Sequence, residues 1–254
     1  MSETNGLCSF SPKDGLFMNA LIFAAGLGTR LKPLTDTMPK ALVPLAGKPL
    51  LQWQVEKLKD AGIRDLVVNV HHFPDQIIDA IRANNGWGCH VEVSDERELL
   101  LDTGGGLRKA LPLLGQGPVL ACNVDILSNI DVNALIARYE ETGISQLVVS
   151  ERQTQRYLCF DGNDILCGWT NIATGEVKGR EGRHLAFSGM QVLSEDVLQG
   201  LGDVEEKKFS LIPFYLEIIG KVPLRAFVPE GYRMMDVGKI DQITQAEAFA
   251  ESLE

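Results

Sequence analysis

Several things are scarce in this chain of 254 residues. No run of about 18 apolar residues occurs, the length with which a helix begins to span a hydrocarbon core, so no membrane crossing is expected. Positive charge is in deficit: 24 Lys and Arg stand against 34 Asp and Glu, a net charge of −10. A nucleic-acid surface needs the opposite, clustered cations that neutralise phosphates, and that class is set aside. Any polyanion must then be held by a local cluster. Cysteine is sparse and scattered. Cys8, Cys89, Cys122, Cys159 and Cys167 are odd in number and form no C-x-x-C pair, which fits buried thiols in a reducing cytosol better than disulfides or zinc. A cytoplasmic protein is expected. Residues 1–17 are polar and irregular without an apolar core, so they do not read as a signal peptide; the fold is expected to begin at Met18, with the leader dispensable. What remains is 45% hydrophobic content, enough for one large domain or two small ones.

The most informative stretch is Leu21–Pro44. Ala20, Leu21, Ile22 and Phe23 are uninterrupted apolar residues and predict a buried strand. Ala24, Ala25, Gly26 and Gly28 then remove the side chains, leaving a loop whose amides can approach and wrap an anion. Arg30 and Lys40 flank a segment stiffened by Pro33 and Pro39. A bare turn after a strand, with two cations, describes a polyphosphate site. Two common versions fail on particular residues. A Walker-type loop wants Lys-Ser/Thr directly after its second glycine, where Thr29 and Arg30 stand; a dinucleotide fingerprint wants a third glycine, where Leu31 stands.

Downstream, Pro49 opens a helix with Leu51, Val55 and Leu58 on one face, and Gly62 stops it. A strand over Asp65–Val70, a helix after Pro74 and a short strand over His90–Val93 continue the rhythm of a doubly wound α/β sheet, with ligands at the carboxyl ends of its strands. His71 and His72 are neighbours pointing to opposite faces, a poor metal pair. In L-D-T-G-G-G-L-R-K-A, Thr103 is placed to cap the following helix, and the glycines put backbone against whatever lies at its N-terminus. A buried strand from Val119 ends in Asn123 and Asp125, two apart and facing one way. A carboxylate there, beside a phosphate loop, can hold Mg²⁺ among phosphate oxygens, while Asp131 is the better cap for the helix over Val132–Tyr139. Beyond residue 150, short strand-like runs separated by Asp-Gly and Gly-rich turns predict hairpins. Residues 171–184, polar and of mixed charge, are expected to form an exposed or mobile loop. Leu211–Ile219 reads as a helix, Leu224–Val228 as a strand and Gln242–Leu253 as a final helix.

Ala24 through Lys40 resembles, at every defined position, the signature of the sugar-1-phosphate nucleotidyltransferases: small-small-Gly-x-Gly-Thr-Arg-Leu/Met-x-Pro-Leu-Thr, three residues, then Pro-Lys. T-G-G-G, N-V-D, F-S-G at 187–189 and D-V-G at 236–238 follow in the family's order. The resemblance implies one mixed, mostly parallel nucleotidyltransferase sheet over 18–254 with a small β-rich sugar-binding insertion. Residues 18–150 would form the nucleotide-binding half and 151–254 the sugar-phosphate half. It implies catalytic roles for Arg30 and Lys40, and nucleotide contacts from Ala24, Ala25, Gly26, Gly28, Thr29, Thr103, Gly104 and Gly105. Sugar-phosphate contacts would come from Asn123 and Gly189, and a Mg²⁺ site from Asp125 and Asp236. Met234 stands where the family's D-V-G element is usually preceded by an aromatic. The family's Glu-Lys-Pro element, whose lysine grips the sugar phosphate, is absent. Residues 174–180 offer G-E-V-K-G instead, so that grip is carried to no residue here, Lys178 included.

Short length, the D-T-G-G-G turn, the asparagine two before Asp125 and the run K-A-L-P-L-L resemble most the bacterial branch that joins UTP to N-acetylmuramate 1-phosphate. The implied substrates are an NTP and a sugar 1-phosphate, without nucleic acid or membrane, in a monomer or small homo-oligomer. Guanylyl or cytidylyl transfer to mannose or heptose phosphate or to phosphocholine stays open, as does a regulator that binds a nucleotide sugar without catalysis. No acetyltransferase repeats follow, so bifunctional action is not expected.

Overall fold

The apolar run after Met18 forms strand β1 (Asn19–Phe23), which pairs in parallel on both sides and has both faces covered. The computed structural model describes residues 18–253; the expected leader, with Cys8, lies outside them. Single turns of 3₁₀ helix carry the chain from Thr29 to Leu42. A small hairpin, β2 (Pro44–Leu45) and β3 (Lys48–Pro49), then leads into α1 (Leu50–Asp60). Gly62 turns the chain into β4 (Asp65–Val70), followed by α2 (Pro74–Ala83) and β5 (His90–Asp95). Next come α3 (Asp102–Leu114), β6 (Val119–Asn123), β7 (Ile126–Ser128), α4 (Val132–Thr142) and β8 (Ser145–Ser150). Asp131 caps α4 by accepting from the Ala134 amide at 3.1 Å, as the sequence predicts.

The second half begins with a meander of β9 (Arg156–Phe160), β10 (Leu166–Asn171) and β11 (Glu176–Gly179), followed by the long β12 (Arg183–Leu193). The segment expected as an exposed or mobile loop at 171–184 is exposed from Ile172 onward, but half of it is strand. β11 is exposed at every residue but pairs antiparallel with β10 from Gly168 to Asn171. An edge strand needs no apolar residues to form, since its backbone ladder alone holds it, and so its polar composition misleads. The chain finishes with α5 (Glu195–Gly200), α6 (Leu211–Glu217), β13 (Leu224–Phe227), β14 (Met234–Asp236) and α7 (Ile243–Glu251).

The sheet runs β11-β10-β9-β12-β6-β1-β4-β5, with β8 lying along β12 and β13 along β8. The β6-β1-β4-β5 part is parallel; β12 joins it antiparallel and carries the meander. Side chains alternate strictly between two cores. Ala20, Ile22, Leu66, Val68 and Leu120 pack with α1, α2, α4 and α7, while Leu21, Val67, Val119 and Ala121 pack with α3, α5 and α6. Burial on both faces is why these strands read as continuous apolar runs.

Helix α1 also braces the short strand β7 beyond the end of β6. The Gln54 Nε2 of α1 donates to Ile126 O at 2.7 Å, and Lys57 Nζ donates to Ser128 O at 2.9 Å and Ser128 Oγ at 3.2 Å. The Lys57 stem keeps some access to solvent, but its amine is packed inside, and burial pulls its pKa down to about 8. Below that value folded and unfolded chains both carry the charge, and the folded state bears the full burial penalty. Between about pH 8 and the unfolded value near 10.5, the unfolded chain holds the extra proton, so this site's contribution to stability rises with pH. Relative to Lys57→Met, the wild type should gain at most about 3 kcal/mol of unfolding free energy between pH 7.5 and 10. Denaturant titrations of both proteins across that range check it; parallel pH profiles would contradict the buried amine.

Candidate active site

The loop after β1 is pinned before it can bind anything. Asn69, near the end of β4, accepts through its side-chain oxygen from the Ala24 amide at 2.7 Å and the Ala25 amide at 3.3 Å. Its amide group donates to Glu96 Oε1 at 2.7 Å, and Glu96 Oε2 accepts from the Leu101 amide at 3.1 Å. Glu96 is 1% exposed, and burial raises its carboxyl pKa against the pull of these hydrogen bonds. The expectation that Ala24 and Ala25 wrap an anion with their amides is therefore corrected: those two donors are already taken. Both residues still line the cleft with Gly26.

Gly28 closes the loop in a left-handed conformation, φ 63°. A Cβ there would come within 2.8 Å of Thr35 Cγ2 and 3.0 Å of Lys40 Cβ, and Thr35 Oγ1 donates to Gly28 O at 2.8 Å. Only a bare residue lets 29–42 fold back so closely. That fold-back brings Lys40, 7% exposed, to the cleft, where its Nζ meets Asp125 Oδ2 at 2.5 Å.

Asp125 lies in the turn between β6 and β7, two residues past the end of β6, yet it lines the cleft together with Asn123. The second carboxylate arrives on a ribbon: β14 pairs with β7 so that Asp236 faces Ile126, and the Val237 amide donates to Asp125 O at 2.8 Å. Asp236 is open to solvent on one side. The protein packed against its other side and repulsion from Asp125 push its carboxyl pKa up, opposed by Lys40, Arg30 and Arg152. A Cβ on Gly238 would lie 2.7 Å from Asp236 Oδ1 and 3.1 Å from Arg30 Nη2, which places the Arg30 guanidinium beside the same carboxylate. Arg30, Lys40, Asp125 and Asp236 thus converge at one end of a cleft of about 240 Å³. Gly189, at φ 73° where β12 shifts register, packs against Asn123; a Cβ there would be 3.1 Å from Asn123 Nδ2.

The T-G-G-G reading is corrected. The glycines are not an approach to a helix but its first turns, and Thr103 does not cap it; Thr103 Oγ1 accepts from the Leu211 amide at 3.0 Å. The Gly104 and Gly105 amides donate to Phe209 O at 2.9 and 3.1 Å. Added Cβ atoms would lie 2.3 Å from the Phe209 ring and 2.4 Å from Lys207 O, and one on Gly106 would lie 2.7 Å from Glu96 Oε1. These glycines admit the 207–209 backbone and the Asn69–Glu96 pair. Thr103 lines the cleft, whereas Gly104, Gly105, Gly28 and Thr29 do not.

Sequence reading missed Asn69, Glu96, Arg152 and Ser210. A polar Asn in the strand D-L-V-V-N-V was a usable signal; the other three stand in segments without pattern. His71 and His72 accept no metal role here: their ring nitrogens face the carbonyls of Glu96 and Thr35 at 2.7 and 3.2 Å. Cys159, Glu181 and His184 come within 4.8 Å of one another, on the β9–β12 side, with His184 already paired to Glu181 at 3.3 Å. A larger cleft of about 750 Å³ beside α1 and α4 mixes Lys48, Lys57 and Arg233 with Glu56, Asp60 and Asp131. It offers no single charge sign to a polyphosphate. Cys89, Cys122, Cys159 and Cys167 are free thiols, three of them buried, and no helix of the described residues is long and apolar enough to cross a membrane.

Comparison with known proteins places these features. The nucleotidyl transferase family profile matches residues 19–159. The chain is 32% identical over 238 residues to an N-acetylmuramate alpha-1-phosphate uridylyltransferase from Caulobacter vibrioides, covering 90% of this chain and 95% of that protein. It is 45% identical over 187 residues to the protein of the same name from Neisseria meningitidis serogroup B, covering 72% and 78%. Among solved structures, HddC from Yersinia pseudotuberculosis complexed with GMP-PN superposes with a TM-score of 0.72 at 26% identity, over 91% of this chain and 99% of that one. With the bare loop, the paired cations and the mixed sheet all in register, the chain belongs to the nucleotidyl transferase family.

Proposed function

We propose that this enzyme transfers UMP from UTP to N-acetylmuramate 1-phosphate, releasing pyrophosphate, in the cytoplasm. The convergence of Arg30, Lys40, Asp125 and Asp236 at the mouth of the cleft carries the reading; the two uridylyltransferase relatives supply the choice of base and sugar. Residues 18–150 would hold the nucleotide and 151–254 the sugar phosphate.

A sugar 1-phosphate oxygen attacks the α-phosphorus in line; the new P–O bond forms as the bond to the pyrophosphate oxygen breaks. The attacking oxygen is already an anion, so no general base is needed. The obstacle is bringing two polyanions together, and the remedy is positioning with fixed opposite charge. Arg30, forked and next to Asp236, suits the departing β- and γ-phosphates. Lys40 is held by Asp125 in one place, so its charge needs no reorganisation as negative charge builds on the α-phosphate. The carboxylates offer oxygen donors only and repel each other as they stand, the donor set and the charge deficit of a hard divalent cation, and we assign them to Mg²⁺. Mg²⁺ bound there would supply Lewis-acid charge neutralisation between the substrates.

A pyrophosphate-release screen crossing the four common NTPs with a panel of sugar 1-phosphates and phosphocholine tests the reading. Turnover is expected with UTP and N-acetylmuramate 1-phosphate. Preference for GTP with mannose or heptose phosphate, or for CTP with phosphocholine, would replace it. Nucleotide-sugar binding without turnover on any pair would make the chain a regulator.

A further inference from the structure

A second cleft, of about 460 Å³, opens beside the first and shares Ser210 as a wall. It lies between one face of β9–β10–β11 and the start of α6. Arg152, Arg156 and Lys178 line it, and no carboxylate does. In a chain of net charge −10, that is a local reversal of sign.

Two of the three cations have assignments. Arg152 Nη2 donates to Phe187 O at 2.9 Å, and its charge is felt by Asp236, so it stands toward the reacting phosphates. Lys178 pairs with Glu176 at 3.3 Å and lies over the Trp169 ring at 5.8 Å. The Arg156 side chain has neither hydrogen bond nor ion pair with any described residue. Register sets where it points. Leu158 faces Trp169 across β9–β10, and Trp169 faces Lys178 across β10–β11. Arg156, two residues from Leu158, therefore shares their face. The cleft thus offers an aromatic floor, a cation near the metal carboxylates, and a free guanidinium at the start of β9.

We propose that Arg156 recognises a second anionic group on the sugar, a carboxylate remote from the 1-phosphate, and so selects an acidic sugar over its neutral counterpart. This deepens the sugar-1-phosphate reading above and rests on it. Arg30 and Lys40 serve the nucleotide phosphates, Asp125 and Asp236 the cation, and Arg152, near Asp236, is the cation left for the sugar phosphate; none of this uses Arg156. A guanidinium matches a carboxylate through two parallel N–H···O bonds. In free enzyme the arginine is solvated, and such a pair at an open surface gives little. A seated sugar closes the cleft over it, and a charge-assisted hydrogen bond of that kind is then sufficient for about a 10- to 100-fold preference. A neutral sugar leaves the guanidinium in water, so the discrimination comes from attraction and reads out in KM.

The test compares N-acetylmuramate 1-phosphate with N-acetylglucosamine 1-phosphate, which lacks only the lactyl ether and its carboxylate, in wild type, Arg156→Gln and Arg156→Lys. Arg156→Gln should lower kcat/KM for the acidic sugar about 10- to 100-fold, chiefly through KM, and change the neutral sugar less than about threefold; Arg156→Lys should recover part of the loss. In wild type alone, raising NaCl should weaken the acidic substrate more than the neutral one, a readout independent of any variant's folding. Equal losses on both sugars, or none on either, would overturn the assignment of Arg156 while leaving uridylyl transfer standing. A wild type that turns over the neutral sugar and ignores the acidic one would overturn both.

Discussion

Lys40→Ala is expected to lower kcat by about 10²- to 10³-fold, the scale of removing one preorganised charge from a transition state, while the protein stays folded. Lys40 is nine-tenths buried by a segment that folds back across Gly28, and its amine is held at 2.5 Å by Asp125. Burial and a single partner fix the charge in advance, and a fixed charge is worth more than one recruited from solvent. Folding should survive because the contact that shapes the loop is the Lys40 Cβ against Gly28, which alanine keeps. Asp125, 23% exposed at its side chain, can be resolvated when the amine leaves. The measurements are kcat with saturating substrates and Tm for both proteins. An activity within threefold of wild type would show that Lys40 serves only to neutralise Asp125.

The parallel half of the fold was legible in the sequence because its physics is local. Strands covered on both faces must be apolar throughout, and β1 and β4 announce themselves so. Gly62 and Asp131 end and begin helices by conformations and hydrogen bonds that need no distant partner. Gly104–Gly106 show the opposite case. Their bareness answers to Phe209 and Lys207, about a hundred positions later, and to a carboxylate on the segment after β5; a glycine run in a sequence says that something approaches closely, not what. The roles of Asn69 and Glu96 could not be read for a related reason, although a polar Asn in an apolar strand was itself visible. A polar residue near the end of an apolar strand gains meaning only from the register that sets it beside Ala24 and Ala25. Of the candidate site, Arg30, Lys40 and Asp125 could be proposed from charge and position on a strand-turn pattern. Asp236 came from resemblance alone, since a lone carboxylate after two methionines carries no pattern of its own. Arg152 and Arg156 sit in S-E-R-Q-T-Q-R, which reads as an ordinary polar connection until the chain is folded.

Replacing either Asp125 or Asp236 by Asn should nearly abolish turnover, and replacing both should be little worse than replacing one. The two side chains are 111 positions apart in sequence and meet through the β7–β14 ribbon and the Val237-to-Asp125 backbone bond. A hard divalent ion usually keeps several waters and takes phosphate oxygens besides, so two protein carboxylates suffice and neither is spare. Groups that serve one ion lose their effect together, which makes the double-mutant coupling large and opposite in sign to simple addition. Stability should behave differently. Burial and repulsion from Asp125 already raise the Asp236 carboxyl, so without metal Asp236→Asn should melt slightly higher than wild type. Asp125→Asn gains less, because it also removes the partner of Lys40. Titrating Mg²⁺ while measuring kcat/KM for wild type, both singles and the double separates the possibilities. Losses that multiply independently, or a single variant that keeps the wild-type Mg²⁺ response, would remove one aspartate from the metal site. Melting curves in EDTA check the other half, where a large destabilisation by Asp236→Asn would make that carboxylate part of the ribbon's structure instead.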